Sequence, residues 1–397
     1  MALKIGRGAA APPFLVMDVI AAANARAAAL PAGAFPDGLG ILRMEVGQPG
    51  TGAPRGAAEA VVAALEAGAP MGYTEAFGLR SLRERISAHY AERYGTAVPA
   101  ERIAVTVGAS GAFPLAFLAA FDPGDAVAMA APYYPPYVNI LTALGMRPQI
   151  LPCDASTRWQ PTLAMLEALD PRPAGLILAS PCNPAGTMLP AEEFIAIARW
   201  CEAEGVRLVS DEIYHGLTYG TVEERTAAAH SASAVVVNSF SKYFSMTGWR
   251  IGWLVLPEDL VRPVECLAQN LFINAPHVAQ VAAEAAFACR PELEANLARY
   301  RRNRDALLAG LPAAGLDRLS PADGAFYLWA DIGHLTHDSP DFCRRLLAEA
   351  GIAATPGIDF DAERGGRFLR LSYCGPEAAM AAAPTRIARF LGLHKRR

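Results

Sequence analysis

The chain reads as an α/β protein, with a mainly parallel sheet between helical layers and a smaller α+β lobe appended. Three observations predict this. Between residues 102 and 210 short apolar runs alternate with helical stretches, the pattern of a parallel sheet covered on both faces. Chemically distinctive residues recur just past those apolar runs, where such sheets present their ligands. After residue 256 the pattern changes, first to long helical stretches and then to short strands mixed with helices.

Length and composition set the frame. At 397 residues the chain is too long for one ordinary core and suggests two domains, or one large domain with a lobe. Hydrophobic residues make up 53% and charged residues 19%, which is globular and not disordered. Net charge is -4, and like charges do not cluster before the tail Lys395-Arg396-Arg397, so nothing favours nucleic acid or an anionic membrane. Seven scattered cysteines without a Cys-x-x-Cys pair read as reduced core thiols of a cytoplasmic protein, with no disulfide framework or metal site.

The elements follow in order. Residues 14–30 are Ala-rich but carry Asp18, Asn24 and Arg26, so they make an amphipathic helix and a poor signal peptide or membrane span. A strand over 42–46 leads to the loop Gly47 to Pro54, where Gly and Pro are dense. Helices are expected over 55–68 and 79–94, broken by the loop 71–78. Strands follow at 102–107, 126–130, 147–151, 175–179, 206–210 and 234–237. Helices intervene at 110–120, 137–144, 163–169 and 191–204. Residues 256–304 read as mostly helical, with breaks near Asn274-Ala275-Pro276 and at Pro291. Strands at 326–330 and 368–371 and helices at 341–350 and 377–391 form the smaller lobe. The expected division is 1–46 packing with the small domain, 47–290 as the large domain, and 291–397 as the small domain.

The strand 234–237 runs into Asn238-Ser239-Phe240-Ser241-Lys242, followed by Gly248-Trp249-Arg250. A lysine at a buried strand end needs a role or a partner. Its primary amine condenses with aldehydes. Ser239 and Arg250 suit a phosphate. An aldehyde plus a phosphate describes pyridoxal 5'-phosphate. Read alone, the same stretch is a surface loop with solvated Lys and Arg.

Further stretches stand at strand exits. Gly108-Ala109-Ser110 opens a helix and is either a tight turn or an anion cradle of free N–H groups. Pro132 to Tyr137 offers an aromatic to a flat ring, or only Pro-fixed packing. Asn183 before Pro184 has a fixed direction for its amide, or marks a turn. Asp211 closes a buried strand and needs a cationic partner, which a pyridinium nitrogen supplies, or it caps a turn. Tyr214 follows three residues on. Arg370 within an apolar strand suits a carboxylate, or is an edge-strand arginine.

Together these residues resemble the class I/II aminotransferases, the fold-type-I enzymes that use pyridoxal phosphate. The resemblance rests on Gly47-x-Pro49, Tyr73, Gly108 to Ala112, Asn183-Pro184-x-Gly186, Asp211-x-x-Tyr214, Ser239-Phe-Ser-Lys242 with Gly248-Trp249-Arg250, and Arg370, and it covers nearly the whole chain. It implies a pyridoxal-phosphate-dependent transferase fold with a seven-stranded type of sheet. It implies amino transfer between an L-amino acid and a 2-oxo acid by a ping-pong mechanism. Lys242 is then the Schiff-base lysine and proton shuttle, and Asp211 holds the pyridine nitrogen. Tyr214 and Asn183 contact the ring 3-oxygen, and Tyr134 stacks on the ring. Gly108, Ala109, Ser110, Ser239 and Arg250 cradle the phosphate. Arg370 and Asn183 take the substrate carboxylate, and Gly47 closes over the substrate. Tyr73 is implied to reach the neighbouring subunit's site, hence a homodimer with shared sites. Ala185 departs from the Thr usual after Asn-Pro. The side-chain pocket is expected from the N-terminal loop and the region of Phe272. The same site would also serve a C–S β-lyase or an aminocyclopropane-carboxylate-synthase-like enzyme. A non-enzymatic sensor domain is disfavoured, because no basic helix-turn-helix stands in the short segment ahead of Gly47.

Overall fold

The computed structural model describes residues 3–31 and 33–393; the basic tail at 395–397 lies outside them. The elements are α1 (Leu15–Ala29), β1 (Leu42–Arg43), α2 (Arg55–Glu66), α3 (Arg80–Tyr94), β2 (Ile103–Thr106), α4 (Gly108–Ala120), β3 (Ala126–Ala131), α5 (Pro135–Ala143), β4 (Arg147–Pro152), α6 (Leu163–Glu167), β5 (Gly175–Ala179), α7 (Ala191–Ala203), β6 (Arg207–Asp211), β7 (Val235–Ser239) and β8 (Gly252–Val255). The chain continues through α8 (Glu258–Leu271), α9 (His277–Ala286), α10 (Arg290–Gly310), β9 (Tyr327–Asp331), α11 (Ser339–Ala350), β10 (Ile352–Ala353), β11 (Thr355–Pro356), β12 (Phe368–Ser372) and α12 (Glu377–Phe390).

A seven-stranded sheet runs β2-β8-β7-β6-β5-β3-β4. Only β8 is antiparallel to its neighbours, β2 and β7. Strands β5, β6 and β7 are buried on both faces and read as continuous Val, Ile and Leu runs, as expected for parallel strands under helices. One apolar cluster on one face joins α3 and α9 to the sheet; another on the opposite face joins α4 and α8. Burying each such Val, Leu or Phe contributes about 1.5–3 kcal/mol.

Strand β8 was absent from the sequence reading, although Ile251 to Leu256 is an apolar run. Its position in the sheet depends on Gly252. A Cβ there would lie 2.7 Å from Asn238 O and 3.0 Å from Ala109 N, so glycine lets the start of α4 approach the sheet. The expected break at Pro291 falls instead at 287–289. Pro291 sits in the first turn of α10, where its missing N–H and fixed φ cost nothing. The expected strand 42–46 shortens to two residues, paired in parallel with β10. Beyond it the chain turns toward Gly47, with Met44 O accepting from Ser372 N at 2.7 Å.

A second sheet, β11-β12-β9, is antiparallel and carries Arg370 at the middle of β12. α11 and α12 cover it within a separate core that includes Leu346, Leu369, Leu371 and Ile387. α1 packs against β11 and α11, at the opposite end of the sequence. Among the described residues no helix is long and apolar enough to cross a membrane.

Candidate active site

The carboxyl ends of the parallel strands open into one cavity of about 590 Å³. β6 delivers Asp211 and, one turn on, Tyr214. β5 leads to Asn183, and β3 leads through Tyr134 into α5. β7 leads to Lys242, the start of α4 supplies Ala109 and Ser110, and β12 supplies Arg370 from the smaller lobe. Gly47 and Arg250 complete the predicted residues in the wall. Gly108 and Ser239 lie just behind it. Ser239 is buried, and its hydroxyl donates to Ser241 Oγ at 2.9 Å, so that of these two serines Ser241 is the one in the wall. Tyr73 stands apart from this cavity and is 84% exposed. Phe272 is likewise outside the wall.

The charged side chains of the wall are Asp211, Lys242, Arg250 and Arg370, a surplus of positive charge suited to an anionic ligand. The Lys242 amine donates to Gly47 O. Burial lowers its pKa to about 8, with help from Arg370 and Arg250, so the neutral amine is accessible near neutral pH. Burial acts oppositely on Asp211 and pushes it up to about 6, against hydrogen bonds from Tyr137 and from Ile213 N at 3.1 Å. A buried carboxylate with a raised pKa lacks a cationic neighbour close enough to offset its desolvation.

The phosphate end is built from backbone and a close approach. Gly108 has φ +65°, and a Cβ there would lie 2.7 Å from Arg250 Nη2. Glycine therefore lets the guanidinium reach the helix start, where Ser110 Oγ lies 3.4 Å from Arg250 Nη2. The first N–H groups of α4 have no intrahelical acceptor and carry the positive end of the helix dipole.

Arg370 is 2% exposed. It donates to Asn183 Oδ1 at 2.9 Å and to Glu45 O, and its Cζ lies 4.5 Å from the Tyr327 ring centroid. Its Nε is buried with no hydrogen-bond partner among the described residues. Tyr214 and Tyr327 share a hydroxyl contact at 2.9 Å, and the Lys242 amine lies 5.9 Å from the Tyr214 ring centroid. Gly47 is required because a Cβ there would lie 1.8 Å from the Tyr327 hydroxyl.

Sequence reasoning left out Ser241, Tyr137, Tyr327 and the apolar side chains of α1. Ser241 adjoins Lys242, and Tyr137 lies one helical turn from Tyr134, so both had a local signal. Tyr327 had none, because its part in the wall depends on how the two sheets meet. Phe14, Val16, Met17 and Ile20 of the N-terminal stretch form an apolar wall of the cavity.

Comparison with known proteins gives the family. The family description "Aminotransferase class I and II" matches residues 40–387. The chain is 48% identical over 391 residues to a valine–pyruvate aminotransferase of Mycobacterium tuberculosis, covering 98% of each. Its fold superposes with TM-score 0.95 on the crystal structure of an aminotransferase from Mycobacterium tuberculosis, at 47% identity, covering 99% of this chain and 100% of that one. It superposes with TM-score 0.89 on an aspartate aminotransferase from Thermus thermophilus with maleate, at 31% identity, covering 98% of this chain and 100% of that one. The chain belongs to the class I and II aminotransferases, enzymes that move an amino group between an amino acid and a 2-oxo acid.

Proposed function

We propose that this aminotransferase uses pyridoxal 5'-phosphate and converts a neutral aliphatic L-amino acid, with a small 2-oxo acid as acceptor. The observation that carries the reading is the charge pattern of one cavity. A lysine of lowered pKa, a buried carboxylate lacking a close cationic neighbour, an arginine at a helix start and a second, buried arginine occupy separate parts of one wall. That donor set fits an aldehyde, a ring nitrogen, a phosphate and a carboxylate. Gly108, where a Cβ would lie 2.7 Å from Arg250 Nη2, lets that guanidinium stand beside the helix start, a set of donors suited to a phosphate.

Bound pyridoxal phosphate supplies an electron sink that makes the substrate α-carbon acidic. Lys242 is the amine that would hold the aldehyde and then carry the proton at the substrate α-carbon, a task matched to a pKa near 8. Asp211 would keep the ring nitrogen protonated, oriented by Tyr137 and Ile213 N. Tyr134 would stack on the ring, and Asn183 and Tyr214 would donate to its 3-oxygen. Ser110, Ser241, Arg250 and the first N–H groups of α4 would hold the phosphate, with Ser239 supporting Ser241. Arg370 would fork onto the α-carboxylate, oriented by Asn183.

The substrate class is supported by α1. Its apolar residues face the cavity, and Arg370 is the single cation there beyond the lysine and the phosphate-end arginine. Among the described residues of this chain, a second acidic group on the substrate would meet no further cation in the wall, a costly arrangement in a buried site. The relative named for valine and pyruvate supports the same reading. A homodimer is supported by the exposed Tyr73 and by exposed apolar residues on α2, Val62 and Leu65, and at and just past the end of α8, Leu271 and Ile273. Seven thiols, none bridged, fit a reducing cytoplasm.

The test is single-turnover incubation of the cofactor-loaded protein with amino acids one at a time, measuring pyridoxamine phosphate and the oxo acid released. L-Valine and similar aliphatic amino acids should react and L-aspartate should not. Reaction confined to L-aspartate would overturn the substrate class, and release of ammonia in place of pyridoxamine phosphate would overturn amino transfer.

A further inference from the structure

Asp359 and Phe360, adjacent residues between β11 and β12, touch three segments that contribute residues to the cavity wall. The Asp359 carboxylate accepts from Leu15 N at 3.0 Å through Oδ1 and from Val16 N at 3.3 Å through Oδ2. Both N–H groups belong to the first turn of α1, where no intrahelical carbonyl is available. Phe14, at the N-cap position, offers no side-chain acceptor of its own. The cap of α1 is therefore supplied from the other end of the chain, by a carboxylate only 9% exposed and well matched to a helix N-terminus.

Phe360 makes the other two contacts. Its ring centroid lies 4.7 Å from Arg370 Cζ. Its carbonyl accepts from Tyr133 N at 3.0 Å, next to Tyr134. At the same corner Phe14 meets Tyr134 edge-on, with ring centroids 5.9 Å apart. The apolar face of α1, the carboxylate-binding arginine and the aromatic wall thus share one two-residue anchor. The other side-chain ties of α1, Arg43 Nη1 to Asn24 Oδ1 at 2.7 Å and Arg26 Nη2 to Ala348 O at 3.1 Å, are exposed and lie toward the far end of the helix.

We infer that Asp359 is a positioning residue for substrate selection: by capping α1 it holds the apolar wall in register with Arg370, so that both close on one substrate. The inference rests on the reading of the cavity as an aliphatic amino-acid site. Asp359 touches neither substrate nor cofactor. Its effect is on how well Val16, Met17 and Ile20 are presented to the substrate side chain.

The experiment compares wild type, Asp359→Ala and Asp359→Asn, all loaded with pyridoxal phosphate. Steady-state turnover is measured with L-valine and L-alanine, and hydrogen exchange of residues 15–20 is followed without substrate. Loss of a cap is worth about tenfold in the docking equilibrium of a helix. Asp359→Ala should therefore raise KM for L-valine by about tenfold, change kcat by less than about twofold, and affect L-alanine less, since a methyl group reaches less of the wall. Exchange at residues 15–20 should quicken. Asp359→Asn, which keeps one acceptor oxygen, should show the same changes to a smaller degree, and it serves where the alanine variant fails to fold. Equal losses for both amino acids, a loss confined to kcat, or unchanged exchange in α1 would overturn the inference. Wild-type protein that converts neither amino acid would instead count against the site reading beneath it.

Discussion

Burial acts on Asp211 and Lys242 in opposite senses, and both effects are measurable. Lys242 must be neutral to attack an aldehyde, so cofactor loading should speed up as pH rises through about 8 and then level off. A stopped-flow pH series checks this, and a flat profile between pH 6 and 9 would contradict it. For Asp211 the pKa of about 6 lies above its ordinary value of 3.8. The folded cofactor-free protein therefore binds more protons than the unfolded chain between those values, and this group lowers stability as pH rises through that window. Relative to Asp211→Asn, the cofactor-free wild type should lose about 3 kcal/mol from pH 3.5 to 7 in denaturation experiments. The same variant, or Asp211→Ala, should retain some cofactor but lose most activity. At this scale the sequence was informative, because a Lys, an Asp and an Asn at strand ends are costly placements that signal a use. It was uninformative about Tyr327, whose hydroxyl is brought to Tyr214 from a different sheet.

Elements are tied around the site by buried charge as well as by apolar packing. Glu224 joins α3 to the turn after Tyr214. It accepts from Arg93 Nε at 2.7 Å and from Gly216 N at 2.8 Å. Burial tends to raise its pKa, but the nearby His215 and Arg93 win and bring it down to about 2. The unfolded value is 4.5, so the stabilisation is fully present above that pH and is lost as pH falls toward 2. Glu224→Gln should cost about 3 kcal/mol at pH 7, with the difference shrinking below pH 4. Chemical denaturation across pH checks it, and a pH-independent difference would show that packing dominates. Most helices and six of the sheet strands were legible from period and apolar runs. β10 and β11 were not, because two-residue strands carry no periodicity. β8 was missed where an apolar run follows the Gly248-Trp249-Arg250 loop and precedes a long helix.

In the whole molecule α1 packs against β11 and α11; the sequence led us to expect 1–46 beside the small domain, but not α1 as a wall of the cavity. The N-terminal stretch read as an amphipathic helix. Its place over the cavity depends on contacts such as Leu15 N to Asp359, separated by 344 positions in the chain, which no local pattern encodes. Tyr73 is not part of its own chain's cavity wall and is open to solvent, as a residue serving a neighbouring subunit would be. Mixing inactive Lys242→Ala and Tyr73→Ala chains under subunit exchange should restore activity, because one site of the heterodimer carries neither defect. A fully active monomer by sedimentation, or unchanged cofactor affinity in Tyr73→Ala, would contradict shared sites.

Every role proposed for the cavity turns on Lys242 as the residue that carries the cofactor. Borohydride reduction of the loaded protein, followed by peptide mapping, tests it directly. The expected result is a yellow protein that bleaches on reduction, with the pyridoxyl mass on the peptide containing Lys242 and no label or turnover in Lys242→Ala. A label on Lys4, or wild-type turnover in Lys242→Ala, would contradict it.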